Sequence, residues 1–351
     1  MTSLKALHVA DALGLQARAT RMSQRVLDIA PFYVMEMGKA AQDLASRLTP
    51  SDPPLIALNI GEPDDKASPL VEQAAREAIA RGDSAYTPAL GLPELRARIS
   101  HWYAQHRGLS IPAERIVITA GASAGLLLAC LAWFESGDEV LMPDPCYPCN
   151  RQFVRAADAR AKLIPTQASD RFQLSAEQVR SNWGPHTRGV LLASPSNPTG
   201  TSVHPDALRD IDAFVRQQGG LLLMDEIYLP LNHDPIYAQS ALALGEHIVS
   251  VNSFSKYFGM TGWRLGWLVV PSHSVGHLER LAQNLFICPS TIAQHAALAC
   301  FEPESIAEYE RRRVQFRDRR DAFIAALQAM GLDVPVIPDG AFYVWADASA
   351  W

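Results

Sequence analysis

A lysine set among hydroxyls and followed by an arginine is the strongest chemical signal in the chain. Lys256 lies in NSFSKYFGMTGWRLGW, one of five lysines against twenty-six arginines, with Ser253, Ser255, aromatic residues and glycines around it. A lysine in a partly apolar site loses its proton readily and can attack a carbonyl to form a Schiff base. The two serines and Arg264, eight residues on, offer hydroxyls and a guanidinium fork suited to a phosphate monoester. A Schiff-base lysine beside a phosphate site suggests pyridoxal 5′-phosphate (PLP). The bland alternative is a surface lysine in a loop, and the serines and the arginine weigh against it.

Other candidates lie just beyond predicted strands. Asp225-Glu226-Ile227-Tyr228 follows an apolar run, and a carboxylate at a buried strand end needs a partner. A protonated pyridine nitrogen would be one, and the pairing would keep the ring an electron sink. The structural alternative for Asp225 is a helix cap. Tyr228 could hydrogen-bond the ring's phenolic oxygen. Asn197, held extended before Pro198 in SPSNPTG, could donate to the same oxygen, although Asn-Pro-x-Gly alone is simply a turn. AGASAG places Ala122, Ser123 and Ala124 at a helix N-terminus, where free amides and the dipole favour an anion. Its spacing is not the G-x-G-x-x-G of a dinucleotide site. In PDPCYPC, Tyr147 could stack on a flat ring. Cys146 and Cys149 form one C-x-x-C without the second pair of a zinc site or the setting of a redox motif, so no metal is expected.

These residues need a scaffold that gathers several strand ends. Ile116–Thr119, Val140–Met142, Lys162–Ile164, Gly189–Ala193, Leu221–Met224, Ile248–Val251 and Leu265–Val270 read as short, largely buried strands. Segments of helical period, such as Ser123–Phe134 and Pro205–Gln218, lie between them. Such alternation predicts an α/β domain on a mostly parallel sheet, with ligands beyond the strands' carboxyl ends. Residues 1 to about 50 are helical in pattern and cationic, and TPSDPP (49–54) marks a boundary. From Ser290 the pattern is helical for about fifty residues and ends in a strand-like Phe342–Trp345. The expected division is residues 1–55 and 286–351 as a smaller α+β lobe built from both chain ends, and 56–285 as the large cofactor domain.

Composition sets the outer limits. The 351 residues are 48% hydrophobic and 19% charged, ordinary for a globular chain with a sizeable core. A net charge of -6 argues against nucleic acid as the default partner. Five cysteines make no even disulfide framework. The N-terminus lacks the long apolar run of a secretory signal, and Ala122–Phe134 is too short to span a membrane. A cytoplasmic location is expected.

Taken together, the chain resembles the class I/II aminotransferases, fold-type I PLP enzymes similar to bacterial aspartate and aromatic transaminases. The resemblance runs from about residue 55 to the end. It is carried by NIGEPD (59–64), YTPALGLPELR (86–96), SNPTG (196–200), DEIY (225–228) and SFSKYFGMTGWRLG (253–266), in the family's order and spacing. It implies a three-layer fold and transfer of an amino group from an L-amino acid to a 2-oxo acid by a ping-pong mechanism, in amino acid metabolism, including biosynthesis. Lys256 would carry PLP as a Schiff base and then shuttle the proton between Cα and C4′. Asp225 would pair with the ring nitrogen, Asn197 and Tyr228 would bind the phenolic oxygen, and Tyr147 would stack on the ring. Ala122, Ser123, Ala124, Ser253, Ser255 and Arg264 would hold the phosphate. Tyr86 matches a tyrosine that reaches the neighbouring subunit's phosphate, which implies a homodimer. Gly61, with Asn197, would meet the substrate.

One departure stands out. The family's C-terminal arginine, which clamps the substrate carboxylate, has no counterpart, because no Arg or Lys follows Arg320. The cluster RRRVQFRDRR (311–320) reads as a solvated helix face rather than a replacement. A C-terminally truncated chain is therefore expected. Two alternatives keep the cofactor: a C–S lyase or other β-eliminating enzyme on the same fold, and a non-catalytic PLP-binding module. The first fifty residues are too few for a winged-helix regulator domain.

Overall fold

The computed structural model describes residues 20–350; the helical pattern read for residues 1–19 lies outside them. The chain divides into two compact units between Pro31 and Phe32. The first contains a short helix, Gln24–Asp28, capped by the Ser23 hydroxyl, which accepts from the Val26 amide. Everything below concerns the second.

Seven strands form its centre: β1 (Ile116–Thr119), β2 (Glu139–Asp144), β3 (Arg160–Pro165), β4 (Thr187–Ala193), β5 (Leu221–Asp225), β6 (Val249–Ser253) and β7 (Gly266–Val269). They lie in one sheet in the order β1-β7-β6-β5-β4-β2-β3. Every pairing is parallel except the two made by β7. All seven predicted strands are present, Ile116–Thr119 with the bounds read and the others with ends displaced by at most two residues.

Their sequences do not alternate apolar with polar because both faces are covered. Ile116, Ile118, Leu141, Val190, Leu192, Leu222, Met224, Trp267 and Val269 enter one core. The intervening Val117, Val140, Met142, Leu191, Leu223, Val249, Val251 and Leu268 enter the other. Side chains at successive strand positions point to opposite faces, so one apolar run feeds two cores. The helix Gly121–Trp133 lies on the second face with Val275–Leu285, while Pro69–Arg81, Pro93–Arg107, Pro205–Gln217 and Thr291–Leu298 line the first. Proline opens several of these helices, where its missing N–H costs nothing. Gly82 and Gly108 close two at φ +78° and +65°, a backbone that side-chain-bearing residues rarely adopt.

Two expectations need correction. Phe342–Trp345 is not a strand; residues 286–351 contribute the helices Thr291–Leu298 and Pro303–Ala329 and two isolated bridges, Asn232 with Gly340 and Asp333 with Asp347. The rings of Phe342 and Tyr343 both pack on Tyr228, at 5.6 and 5.4 Å, whereas a strand would send neighbours to opposite sides. The arginine cluster is not uniformly solvated either. Arg312 is buried and donates to Lys66 O at 2.6 Å and to Glu308 at 2.9 Å, while Arg313 and Arg320 donate to the Asn232 and Pro338 carbonyls. Long aliphatic stems let arginines on the inner stripe of Pro303–Ala329 cover apolar surface while their heads find carbonyls.

Candidate functional site

The parallel strands end together, and a cavity of about 240 Å³ opens beyond them. Ala193 ends β4, Asp225 ends β5 and Ser253 ends β6, and all three line it. So do Gly61, Ala122, Ser123, Tyr147, Asn197, Tyr228, Ser255, Lys256 and Arg264, residues spread over two hundred positions.

At one end is an anion cradle. The helix Gly121–Trp133 leaves the amides of Gly121, Ala122 and Ser123 outside its own ladder, at the positive end of its dipole. Ala124 is the fourth residue of the helix and is not among the residues lining the cavity. The Arg264 guanidinium lies against this turn: a Cβ on Gly121 would come 2.6 Å from Nη2. Gly266, at the start of β7, lets the helix approach, since a Cβ there would sit 2.8 Å from the Ala122 amide. Arg264 itself takes φ +54° and donates to Thr261 O at 3.0 Å. Ser253 and Ser255 complete the cradle, the Ser255 amide donating to Ser253 Oγ at 2.9 Å.

Lys256 Nζ donates to Gly61 O at 2.6 Å. Burial draws its pKa down to about 8, helped by Arg264 and opposed by Glu62. About a tenth of such amines are neutral at pH 7, roughly three hundredfold more than for a free lysine.

The paired carboxylates of DEIY part company. Glu226 turns into the protein, accepting from Ser240 and Ser250 hydroxyls at 2.7 Å and the Ala241 amide at 2.7 Å. Asp225 faces the cavity, and the one hydrogen bond to its carboxylate among the described residues comes from the Ile227 amide at 3.1 Å. This is a local turn bond and not the helix cap weighed for it, since the next helical turn, Leu229–Leu231, is preceded by Tyr228 and has no side-chain cap. Burial pushes the Asp225 carboxyl up to about 7, with Glu226 adding to the rise. A buried carboxylate so poorly partnered calls for a cation.

Asn197 and Tyr228 meet at one point: Asn197 Nδ2 donates to Tyr343 Oη at 3.1 Å, and Tyr228 Oη lies 2.6 Å from the same oxygen. Burial pushes the Tyr343 phenol up to about 12 and Tyr228 well above its ordinary value, so both stay protonated at neutral pH. Tyr147 lines the cavity edge-on to Phe32, ring centroids 5.9 Å apart. Its neighbours Cys146 and Cys149 carry free thiols, and burial pushes Cys146 up to about 11. Tyr86 does not line the cavity and is 81% exposed.

Several lining residues carry no sequence signal. Phe32, Val34 and Met35 form an apolar wall with Ile60 and belong to no motif that marks them; Ile60 falls within NIGEPD, where only Gly61 was singled out. Tyr343 carries a faint one, a hydroxyl among apolar neighbours in GAFY. Among the described residues no helix is long and apolar enough to cross a membrane, and no cluster of three or more His, Cys, Asp or Glu is placed to hold a metal.

Residues 53–351 match the family described as aminotransferase class I and II. The chain belongs to that family. This aminotransferase is 39% identical to the valine–pyruvate aminotransferase of Mycobacterium tuberculosis over 322 residues, 92% of this chain and 82% of the relative. It is 36% identical to the aspartate aminotransferase of Pinus pinaster, covering 94% of this chain and 68% of that one. Among solved structures, an aminotransferase from Mycobacterium tuberculosis superposes with a TM-score of 0.89 at 38% identity, covering 95% and 84% of the two chains. Thermus thermophilus aspartate aminotransferase with maleate gives 0.88 at 31%, covering 94% and 86%. The fold is therefore that of the fold-type I aminotransferases, and the activity is PLP-dependent amino transfer. A β-eliminating lyase and a non-catalytic binding module find no support among these relatives.

The cavity fits PLP group by group: a cradle of amides, hydroxyls and guanidinium for a phosphate, a nucleophilic lysine for a carbonyl carbon, and a cation-seeking carboxylate for a ring nitrogen. The glycines at 121 and 266 keep the cradle from being filled by a Cβ.

Proposed function

We propose that the aminotransferase takes its amino group from an amino acid with an apolar side chain and passes it to a 2-oxo acid in two half-reactions. The carrying observation is the composition of the cavity wall. Beyond the cradle Phe32, Val34, Met35, Ile60 and Pro148 stand beside the side-chain amide of Asn59, and the wall's charged members among the described residues are Asp225, Lys256 and Arg264. All three are claimed by cofactor chemistry, so a side-chain carboxylate would be desolvated without a partner, at a cost of several kcal/mol. The Mycobacterium tuberculosis relative, named for valine and pyruvate, supports the same substrate class.

Bound PLP supplies the electron sink that stabilises charge developing at the substrate Cα. The protein's own part is assigned as follows. Lys256 would hold the cofactor's carbonyl carbon, and its amine, when free, would be the base that carries the substrate's Cα proton. Asp225 keeps the ring nitrogen protonated, Asn197 and Tyr228 hold the ring oxygen, and Tyr147 covers a ring face. Ser123, Ser253, Ser255, Arg264 and the amides at 122 and 123 anchor the phosphate; Ala124 shapes the same turn. Gly61 and Asn197 face the substrate. Residues 56–285 carry most of these contacts, and 286–351 contribute Tyr343, which supports a functional division at 55 and 285.

To test the substrate class, single amino acids would be added to the PLP form and loss of its visible band followed. Leucine, valine or phenylalanine should convert at least about tenfold more efficiently than aspartate or glutamate. A preference for the dicarboxylates would refute the assignment.

A homodimer is proposed on the exposure of Tyr86, whose ring lies outside its own cavity. Sedimentation should show a species of twice the 38.4 kDa chain; a monomer at working concentration would count against it. A cytoplasmic location agrees with five free thiols, since reducing compartments keep thiols unpaired; recovery in a membrane or secreted fraction would contradict it.

A further inference from the structure

The hydroxyl of Tyr343 engages both side chains to which the cofactor's ring oxygen is assigned. It is 3.1 Å from Asn197 Nδ2 and 2.6 Å from Tyr228 Oη, the two groups given above to that oxygen, and the inference rests on that assignment. Tyr228 has one hydroxyl proton to give, so an oxygen that takes it denies it to a second. The tyrosine is also tightly held from the other side. A Cβ on Gly61 would overlap Tyr343 Oη, and the Gly61 carbonyl is the group that holds Lys256 Nζ. One touching pair, Gly61 and Tyr343, therefore engages both the nucleophile and the oxygen-binding donors.

We propose that Tyr343 competes with the cofactor's ring oxygen for Asn197 and Tyr228 and must withdraw its hydroxyl for PLP to seat. The backbone before it is pinned: the Asp339 and Gly340 amides donate to Gly200 O at 3.1 Å, and the Ala341 amide donates to Leu231 O at 3.1 Å. Withdrawal is therefore a rotation of the side chain rather than a movement of the whole loop. Buried donors need partners. Tyr343 satisfies Asn197 and Tyr228 before the cofactor does, and the bonds it gives up are subtracted from cofactor affinity.

The test is an equilibrium titration of the full chain after cofactor removal, read by tryptophan fluorescence. Wild type and Tyr343→Phe would each be titrated with PLP and with 3-deoxypyridoxal 5′-phosphate, which lacks the ring hydroxyl. Tyr343→Phe should bind PLP about three- to tenfold more tightly, the worth of one or two net hydrogen bonds. The deoxy compound, which does not contest the position, should bind both chains alike. Equal or weaker PLP binding by Tyr343→Phe would overturn the proposal, as would the same gain with both ligands. Failure of PLP to bind either chain would overturn it together with the cofactor assignment.

Discussion

Lys256→Ala is expected to lower turnover by about 10⁴-fold or more while leaving the fold intact. Proton transfer by a positioned base contributes about 10² to 10⁴ on its own, and the substitution also removes the nucleophile that captures the cofactor. The fold should tolerate it, because the amine has one protein hydrogen bond, to Gly61 O, and a position 5.8 Å from the Phe342 ring centroid. Among the described residues no buried ion pair is broken. Two readouts separate chemistry from structure. Single-turnover conversion of an amino acid should collapse and the lysine-bound absorbance should vanish, while unfolding in urea changes little. Lys256→Arg should not restore activity, since a guanidinium does not lose its proton at working pH. Near-normal turnover in Lys256→Ala would sink the assignment of this residue.

Replacing Asp225 with Asn should cut turnover by about 10² to 10³, the scale seen when one well-placed electrostatic contact is lost. Its effect on stability should have the opposite sign. The folded carboxyl titrates near 7 instead of 3.8, so the folded state holds the proton more tightly than the unfolded one. The stability this confers is complete below about 3.8 and is lost as pH rises through about 7, a few kcal/mol in all. The amide introduced by Asp225→Asn would carry no charge at any pH and keep an acceptor for the Ile227 N–H. The cofactor-free variant should therefore match wild type near pH 4 and exceed it by up to a few kcal/mol at pH 8. Adding PLP should reverse the order, because only the carboxylate gains a cationic partner. Urea unfolding at the two pH values, with and without PLP, measures all four quantities. Equal pH dependence in the two cofactor-free chains would refute the account of Asp225 as an unpaired buried acid.

The legible part of this protein is the part written in contiguous residues. Lys256 with its serines and Arg264 lies within twelve positions, DEIY within four and SNPTG within five. Each of these follows a strand whose apolar run was visible, so their convergence follows from the parallel arrangement of strand ends. The helix start at Gly121 was visible for the same reason. DEIY also hid a choice: two adjacent carboxylates look alike in sequence, and only the side of the chain on which Ser240, Ser250 and the Ala241 amide wait distinguishes Glu226 from Asp225.

From residue types and spacing alone came the sheet, the cofactor and the side chains able to serve it, because strand period, helix ends and motif chemistry are local properties. What covers that chemistry was decided by tertiary structure. Tyr343 is 146 residues from Asn197 and 115 from Tyr228, and Phe32, Val34 and Met35 lie still further from Lys256. No local period predicts such contacts; they exist because the segments around residues 32–35 and 343 are laid against a shared set of strand ends. The difference is physical: a local motif presets which groups an element can present, whereas the wall of a cavity depends on which distant surfaces bury each other.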